Sequence, residues 1–283
     1  AVAAMSYKGK IWGLPESMEG IALVYNKALV TDKYMPKDMN DWAGLLKAAQ
    51  EFQKANAGKT LICNQGFPGN DAYHIAPVFF GFGLPGYVDE AGKVTLNTPE
   101  GVKAMEWLVE VAKVSAKEQT YDLCGAAFKE GKVGMWWTGP WAIADIEKAK
   151  VDYGILQMGK PFVGIKTLML SKNAVDRKNT DVAIDIIKYF TSAEVQKKIV
   201  LVNKTIPAAT VALKDAEVSK LASIIGFGKA LAVGIPMSSS PFADAQWGPV
   251  GNSVTTIWSG KQKVADSLAA GQKAIEDAVA AIQ

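Results

Sequence analysis

Along this chain the apolar positions switch between a period of two and a period near four, the signatures of strand and helix. "YKGKIWGLP" and "GIALVYNK" alternate as strands do, with residues 15–20 separating them. "DWAGLLKAAQEFQKAN" sets Trp42, Leu45, Leu46, Ala49 and Phe52 on one helical face, behind Asn40 or Asp41 as a cap. "KTLICN" predicts a short strand. In "NTPEGVKAMEWLVEVAKV", Thr98 caps a helix with Pro99 at its first position and a stripe of Val102, Met105, Leu108, Val109 and Ala112. "KVGMWW" reads as a strand with Val133, Met135 and Trp137 on one face and Gly134 and Trp136 on the other; Gly139-Pro140 then opens the helix "WAIADIEKAK". "VDYGILQM" is a further strand, and "TDVAIDIIKYF" with its successor gives helices over 180–201. The last third is mostly helical and closes on a stripe of Val264, Leu268, Ile275, Val279 and Ile282. The whole predicts an α/β protein with mixed connections and no repeats.

Composition narrows the function. At 283 residues and 49% hydrophobic the chain can bury a sizeable core, and a prior of roughly 150 residues per domain suggests two lobes. With 31 basic against 28 acidic residues and no dense basic block, neither nucleic acid nor an anionic membrane is an expected partner. "IAPVFFGFGLPG" falls short of a membrane span and is broken by Gly and Pro. "AVAAMSYKGK" lacks the pattern of a signal peptide, as a mature chain also would. Cys63 and Cys124 are too few for a disulfide framework and wrongly spaced for zinc, which leaves two buried thiols or one long-range disulfide.

Few motifs carry chemistry. "GFGLPG" matches G-x-G-x-x-G formally, but Pro85 lies inside it and no helix opens on it, so it reads as a loop after a buried helix. No phosphate-binding loop, nucleophile elbow or H-E-x-x-H occurs, and no cofactor is implied. His74, the single histidine, reads as a satisfied structural residue. A carboxylate pair of glycosidase type depends on through-space separation and stays open as the enzyme alternative. Tyr73, Trp141 and Trp247 each sit in or beside Gly- and Pro-rich segments, where a flat ring can stack on the apolar face of a sugar while nearby carboxylates accept hydroxyl protons.

Read in order, "YKGKIWGLPESMEGIALVYNKALV", "AAFKEGKVGMWWTGPWAIADIEKAKVDYGI", "GKPFVGIKTLMLSKNA", "IPAATVALK" and "WGPVGNSV" resemble the maltose/maltodextrin-binding proteins of bacterial ABC importers, a branch of the extracellular solute-binding proteins. The resemblance covers nearly the whole chain. Carried over by position, it implies ligand contacts at Glu19, Asp71, Tyr73, Tyr121, Trp141, Met237 and Trp247, with Trp141 as the principal stacking platform. Trp137 reads as core, and Trp136 is not assigned. Two departures stand out: "MSSSPFADAQ" replaces the "PNIP" of many members, and Gly251 stands where the enteric member has an arginine.

The resemblance further implies a type II periplasmic-binding-protein-like α/β fold of two lobes, crossed near residues 15–20, 161–166 and 214–218. Residues 18–162 and 217–283 would form the C-terminal lobe; residues 1–17 and 163–216 would be what the chain holds of the N-terminal lobe, without the long βαβ front that members usually carry. The implied role is binding a malto-oligosaccharide between the lobes, without chemistry, for delivery to a membrane permease. The implied location is the periplasm or the exterior of the cell envelope, where a Cys63–Cys124 bond is permitted. The alternatives are a glycoside hydrolase using carboxylates such as Glu19 and Asp71, or a binder of another solute on the same fold. Segments of the first lobe, with Ile11 and Trp12 in a shared sheet and Val182, Ile186, Ile187 and Phe190 in its covering layer, are expected to expose apolar surface. They are thus expected to pair with the missing N-terminal segment or a second copy of the chain, or to stay mobile, and sugar affinity of the chain alone is expected to be weak.

Overall fold

The computed structural model describes residues 2–282. Its strands are β1 (Ser6–Tyr7), β2 (Lys10–Ile11), β3 (Leu14–Glu19), β4 (Ala22–Asn26), β5 (Thr60–Cys63), β6 (Val133–Thr138), β7 (Tyr153–Leu156), β8 (Phe162–Leu168), β9 (Ile206–Pro207) and β10 (Ile235–Pro236). The helices are α1 (Trp42–Ala55), α2 (Ala72–Gly81), α3 (Pro99–Ala112), α4 (Tyr121–Lys129), α5 (Ile143–Lys148), α6 (Lys172–Asp176), α7 (Thr180–Phe190), α8 (Ala193–Asn203), α9 (Thr210–Leu213), α10 (Ala222–Val233), α11 (Trp247–Trp258) and α12 (Val264–Ala280).

Local chemistry accounts for the long helices. Asp41 accepts from the Gly44 N–H to cap α1, and Thr98 does the same for Gly101 at the start of α3, with Pro99 at the first helical position. On α1 the buried face is Trp42, Leu45, Ala48, Ala49 and Phe52, with Leu46 at its margin. Along α3 it is Ala104, Met105, Trp107, Leu108 and Val111, a face rotated from the expected stripe to include Trp107, whose indole donates to the Trp42 carbonyl. Two readings change at the ends: Gly139-Pro140 leads first into a 3-10 turn at Pro140–Ala142, and Ile282 lies exposed beyond α12.

Two four-stranded sheets organise the chain, in the orders β10-β8-β3-β9 and β5-β6-β4-β7. In the second, β5 runs parallel to β6, while β4 is antiparallel to both neighbours. It is apolar on both faces: Leu23, Met135 and Trp137 join one core, and Val24, Cys63 and Trp136 join the other. Trp136 and Trp137 are therefore both core residues, packed on opposite sides of β6. Trp137 meets Trp42, Phe67 and Trp107; Trp136 meets Tyr121 and Phe128.

The stretch at 15–20, expected to separate two strands, lies mostly within β3, which pairs antiparallel with β8 from Leu14↔Leu168 to Glu19↔Gly164. Pro15 suggests a break, but the ladder accommodates it with a register shift between Pro15 and Ser17. The expected strand at "YKGKIWGLP" turns at Lys8-Gly9, both at positive φ, giving the β1–β2 hairpin. Helix α7 has no buried residue; Val182, Ile186, Tyr189 and Phe190 are exposed, as are Ile11 at 62% and Trp12 at 54%.

Candidate functional site

Most of the expected ligand residues sit at the ends of elements near the β3–β8 pairing. Glu19 ends β3, Tyr73 lies in the first turn of α2, Met237 follows β10, and Trp247 opens α11. The first three converge over Gly164, the β8 residue paired with Glu19. A methyl placed on Gly164 would meet Glu19 Cγ at 3.2 Å, Met237 Sδ at 3.6 Å and the Tyr73 hydroxyl at 3.6 Å. Phe162, two residues earlier, stacks on Tyr73 at 6.1 Å and meets the Trp247 ring at 5.6 Å. Phe162 thus joins two expected sugar platforms, a role that "KPFVG" alone does not show.

Charge at this point is balanced. The Lys166 ammonium lies 3.0 Å from Glu19 Oε2, and both side chains keep contact with solvent. Burial, and then the negative charges of Glu19 and Asp71, push the Tyr73 hydroxyl well above the usual phenol range. That hydroxyl is buried and without a hydrogen-bond partner among the described residues.

Asp71 behaves as an anchor. Its Oδ1 accepts from the Tyr73 and His74 backbone N–H groups, capping α2, while its Oδ2 accepts from Gln65 Nε2 at 2.9 Å and stands 2.8 Å from His74 Nδ1. A carboxylate offers about four lone-pair sites; three N–H donors, from Gln65, Tyr73 and His74, occupy them, and the His74 ring stands beside the fourth. Burial raises its pKa, but the His74 hydrogen bond and charge, helped by the His74 N–H and Gln65, outweigh that and hold it at about 2.

Trp141 falls in the 3-10 turn after β6, half-buried, with the His74 ring 5.9 Å away at 73°. Tyr121 stands apart, at the start of α4, with its ring 5.2 Å from Trp136 in a small pocket that Asp122, Lys129 and Asp145 also line. Burial and those two aspartates raise its hydroxyl pKa. The structure thus connects Glu19, Tyr73, Met237 and Trp247 through β8, connects Asp71 and Trp141 through His74, and leaves Tyr121 beside Trp136. Cys63 and Cys124 are disulfide-bonded, tying the strand before the Asp71 loop to the helix of Tyr121. The same two segments are held by the Asn64 N–H donating to Gln119 Oε1 at 2.7 Å.

No group of three or more potential metal ligands occurs among the described residues, and no helix among them is long and apolar enough to cross a membrane. Two open four-stranded sheets with helices packed around them are the architecture of the two-lobed α/β binding proteins. Residues 1–224 match the family described as bacterial extracellular solute-binding protein, and the chain belongs to that family. It is 29% identical over 267 residues to the maltotriose-binding protein of Pyrococcus abyssi (strain GE5 / Orsay), covering 90% of this chain and 56% of that one. To the galactooligosaccharide-binding protein of Bacillus subtilis (strain 168) it is 24% identical, covering 89% of this chain and 62% of that one. The solved Thermus thermophilus maltotriose binding protein bound with maltotriose superposes with a TM-score of 0.82 at 25% identity, over 99% of this chain and 75% of that one. The chain spans only about 56–64% of the length of the curated relatives it matches.

Proposed function

We propose that this chain binds a malto-oligosaccharide or related α-glucoside between two lobes, without chemistry, for delivery to the membrane permease of an ABC importer outside the cytoplasm. The observation that carries the reading is the convergence over Gly164: an acid, a phenol and a thioether around one backbone position, with Phe162 joining the Tyr73 and Trp247 rings alongside. Flat rings beside acceptors and donors suit a sugar, whose apolar face stacks while its hydroxyls bond. In the proposed division, residues 18–162 and 217–283 form one lobe, and residues 1–17 and 163–216 belong to the other. Glu19, Asp71, Tyr73, Tyr121, Trp141, Met237 and Trp247 are its proposed ligand residues. The exposed apolar side chains of β2 and α7 are the proposed contact for further first-lobe segments or a second copy of the chain.

The glycoside hydrolase alternative needs one carboxyl kept protonated as a general acid. Asp71 is the opposite, held ionised by three N–H donors and the His74 ring beside it. Calorimetric titration with maltotriose and with a galactooligosaccharide, alongside chromatography of a maltodextrin incubation, tests the proposal. Heat of binding to maltotriose with no shorter products supports it. Binding only the galactooligosaccharide points to another solute on the same fold, and shortened maltodextrin overturns the non-catalytic reading.

A further inference from the structure

Positions 162, 164 and 166 of β8 lie on one face, because side chains alternate along a strand. Phe162 on that face meets Tyr73 and Trp247, and Gly164 underlies Glu19, Tyr73 and Met237. Lys166 is the next residue along it. In the ladder Lys166 stands opposite Ser17, while Glu19 stands opposite Gly164. The ammonium is nonetheless 3.0 Å from Glu19 Oε2, so the side chain leans back across the diagonal of the ladder towards Gly164.

A sugar hydroxyl both donates and accepts, so an acid alone satisfies half of it. Of the proposed ligand residues, Asp71 is occupied by three N–H donors, Met237 has no N–H or O–H on its side chain, and Trp247 gives its indole N–H to Asp244 at 3.3 Å. Gln65, the amide beside Asp71, is spent on that carboxylate. Lys166 is different. Glu19 is its one acidic partner among the described residues, and its side chain is 49% exposed. An ammonium carries three N–H groups, so it can keep its place beside Glu19 and still donate elsewhere.

Resting on the sugar-binding reading, we propose that Lys166 is a further ligand residue of this site: its ammonium donates to the neighbouring sugar hydroxyls whose protons Glu19 accepts. A hydroxyl held in this way donates to a carboxylate and accepts from an ammonium. Both bonds are charge-assisted, and each polarises the other. The two charges cancel within the pair, so the class recognised is an uncharged sugar with adjacent hydroxyls. Three observations carry the assignment: the face shared with Phe162 and Gly164, the diagonal reach to Glu19, and the exposure that leaves the ammonium open to a ligand. As a purely structural device the pair would do little, since ion pairs in contact with solvent add little to stability.

The test is calorimetric titration of maltotriose into the chain as it stands and into Lys166→Met, Lys166→Arg, Glu19→Gln and the double variant Glu19→Gln with Lys166→Met. Thermal unfolding of each is followed without sugar. Methionine keeps much of the side chain without its donors, and arginine keeps both charge and donors. Lys166→Met should weaken binding about tenfold or more, as loss of hydrogen bonds from a charged group does. Lys166→Arg should recover most of that loss. Added to Glu19→Gln, Lys166→Met should cost at least about a further threefold, because the ammonium touches the sugar itself; a lysine that only screened Glu19 would then cost nothing more. The free proteins should melt within about 2 °C of one another, as for changes at a solvent-exposed pair. If the methionine variant does not fold, Lys166→Gln takes its place in the same comparison. Unchanged affinity in the Lys166 variant, no further loss in the double variant, or an arginine variant as weak as the methionine one would each overturn the proposal while leaving sugar binding intact. Absence of maltotriose binding by the unaltered chain would remove the sugar reading and this inference with it.

Discussion

Gly251 offers the sharpest test of how the site is assembled. It lies buried in the middle of α11, pressed against the loop that leads into Asp71. An added Cβ would stand 1.9 Å from Asn70 Oδ1, 2.6 Å from the Asn70 carbonyl carbon and 2.8 Å from its oxygen. The amide can swing away, but the backbone cannot do so freely, because Asn70 is held at φ 52° in the left-handed region. Against an ordinary contact of about 3.5–4.0 Å, the loop has to retreat by about 1 Å. Overpacking of this kind costs about 1–3 kcal/mol, set against a helix-propensity gain of up to about 1 kcal/mol on replacing glycine. Gly251→Ala should therefore destabilise the protein by about 1–2 kcal/mol, a fall of a few degrees in Tm. It should also cut maltotriose affinity about tenfold, since Asp71 follows Asn70 directly and Tyr73 lies two residues further on. Gly228 in α10, with nothing within 4 Å of its added Cβ, is the control, and Gly228→Ala should stabilise by about 0.5–1 kcal/mol. Thermal unfolding and calorimetry on both variants decide it. A Gly251→Ala protein as stable as Gly228→Ala, with unchanged affinity, would refute the reasoning. The same contact means that an arginine at 251 and this loop conformation exclude each other.

Trp141→Ala should cost sugar affinity about 2 kcal/mol or more, as truncated stacking aromatics do, while Tm falls by only a few degrees because the ring is half-buried; unchanged affinity would remove it from the site. Reducing the Cys63–Cys124 bond, which spans 61 residues, should destabilise by about 4 kcal/mol on the chain-entropy estimate, and mass spectrometry of the alkylated, unreduced protein should find neither cysteine modified. Asp71, held at about 2, contributes stability that is present above the ordinary carboxylate range and lost as pH falls from about 4 through 2. Asp71→Asn, which keeps an N-cap acceptor, should flatten the acid limb of the stability profile in that window; an unchanged limb would show that the pairing is not what holds the carboxylate down.

The elements most legible in the sequence are those whose local signals agree. In α1 and α3 the caps, the proline at the helix start and the apolar period all point the same way. Strand β3 was hidden because Pro15, Glu16 and Glu19 look like a connector, and what makes it a strand is pairing with β8, about 150 residues away in sequence. The same limit applies at the site. Tyr73, Trp141 and Trp247 were visible as aromatics beside turns. Phe162, Lys166 and His74 were not, since each matters through what it touches: Phe162 through Tyr73 and Trp247, Lys166 through Glu19, and His74 through Asp71 and two rings. Asp71 carries an acidic side chain at a position where the resemblance implies a sugar contact, and nothing in its sequence neighbourhood shows that three N–H donors already occupy it.

The pairing of β3 with β8 also constrains how the proposed lobes can move. Two of the proposed crossings are neighbouring strands of one antiparallel ladder, so bending one without the other would break hydrogen bonds between them. The ladder's irregularity lies between Pro15 and Ser17, where Glu16 has no Cα partner on β8. Bulges of this kind relax the ladder locally and re-aim the residues beyond them. On one side of it lies Leu14, paired with Leu168 near the apolar surface of Trp12 and Leu170; on the other lie Glu19 and its Lys166 partner. Gln196 spans this point, donating to the Pro15 carbonyl at 3.1 Å and accepting from the Ala209 N–H at 2.8 Å, which fastens α8 and the segment after β9 to the same turn of β3. Beyond the irregularity β9 pairs with Ser17 and Met18, so α8 and the strand that follows it are fastened to β3 on both sides of that point and to the half that carries Glu19.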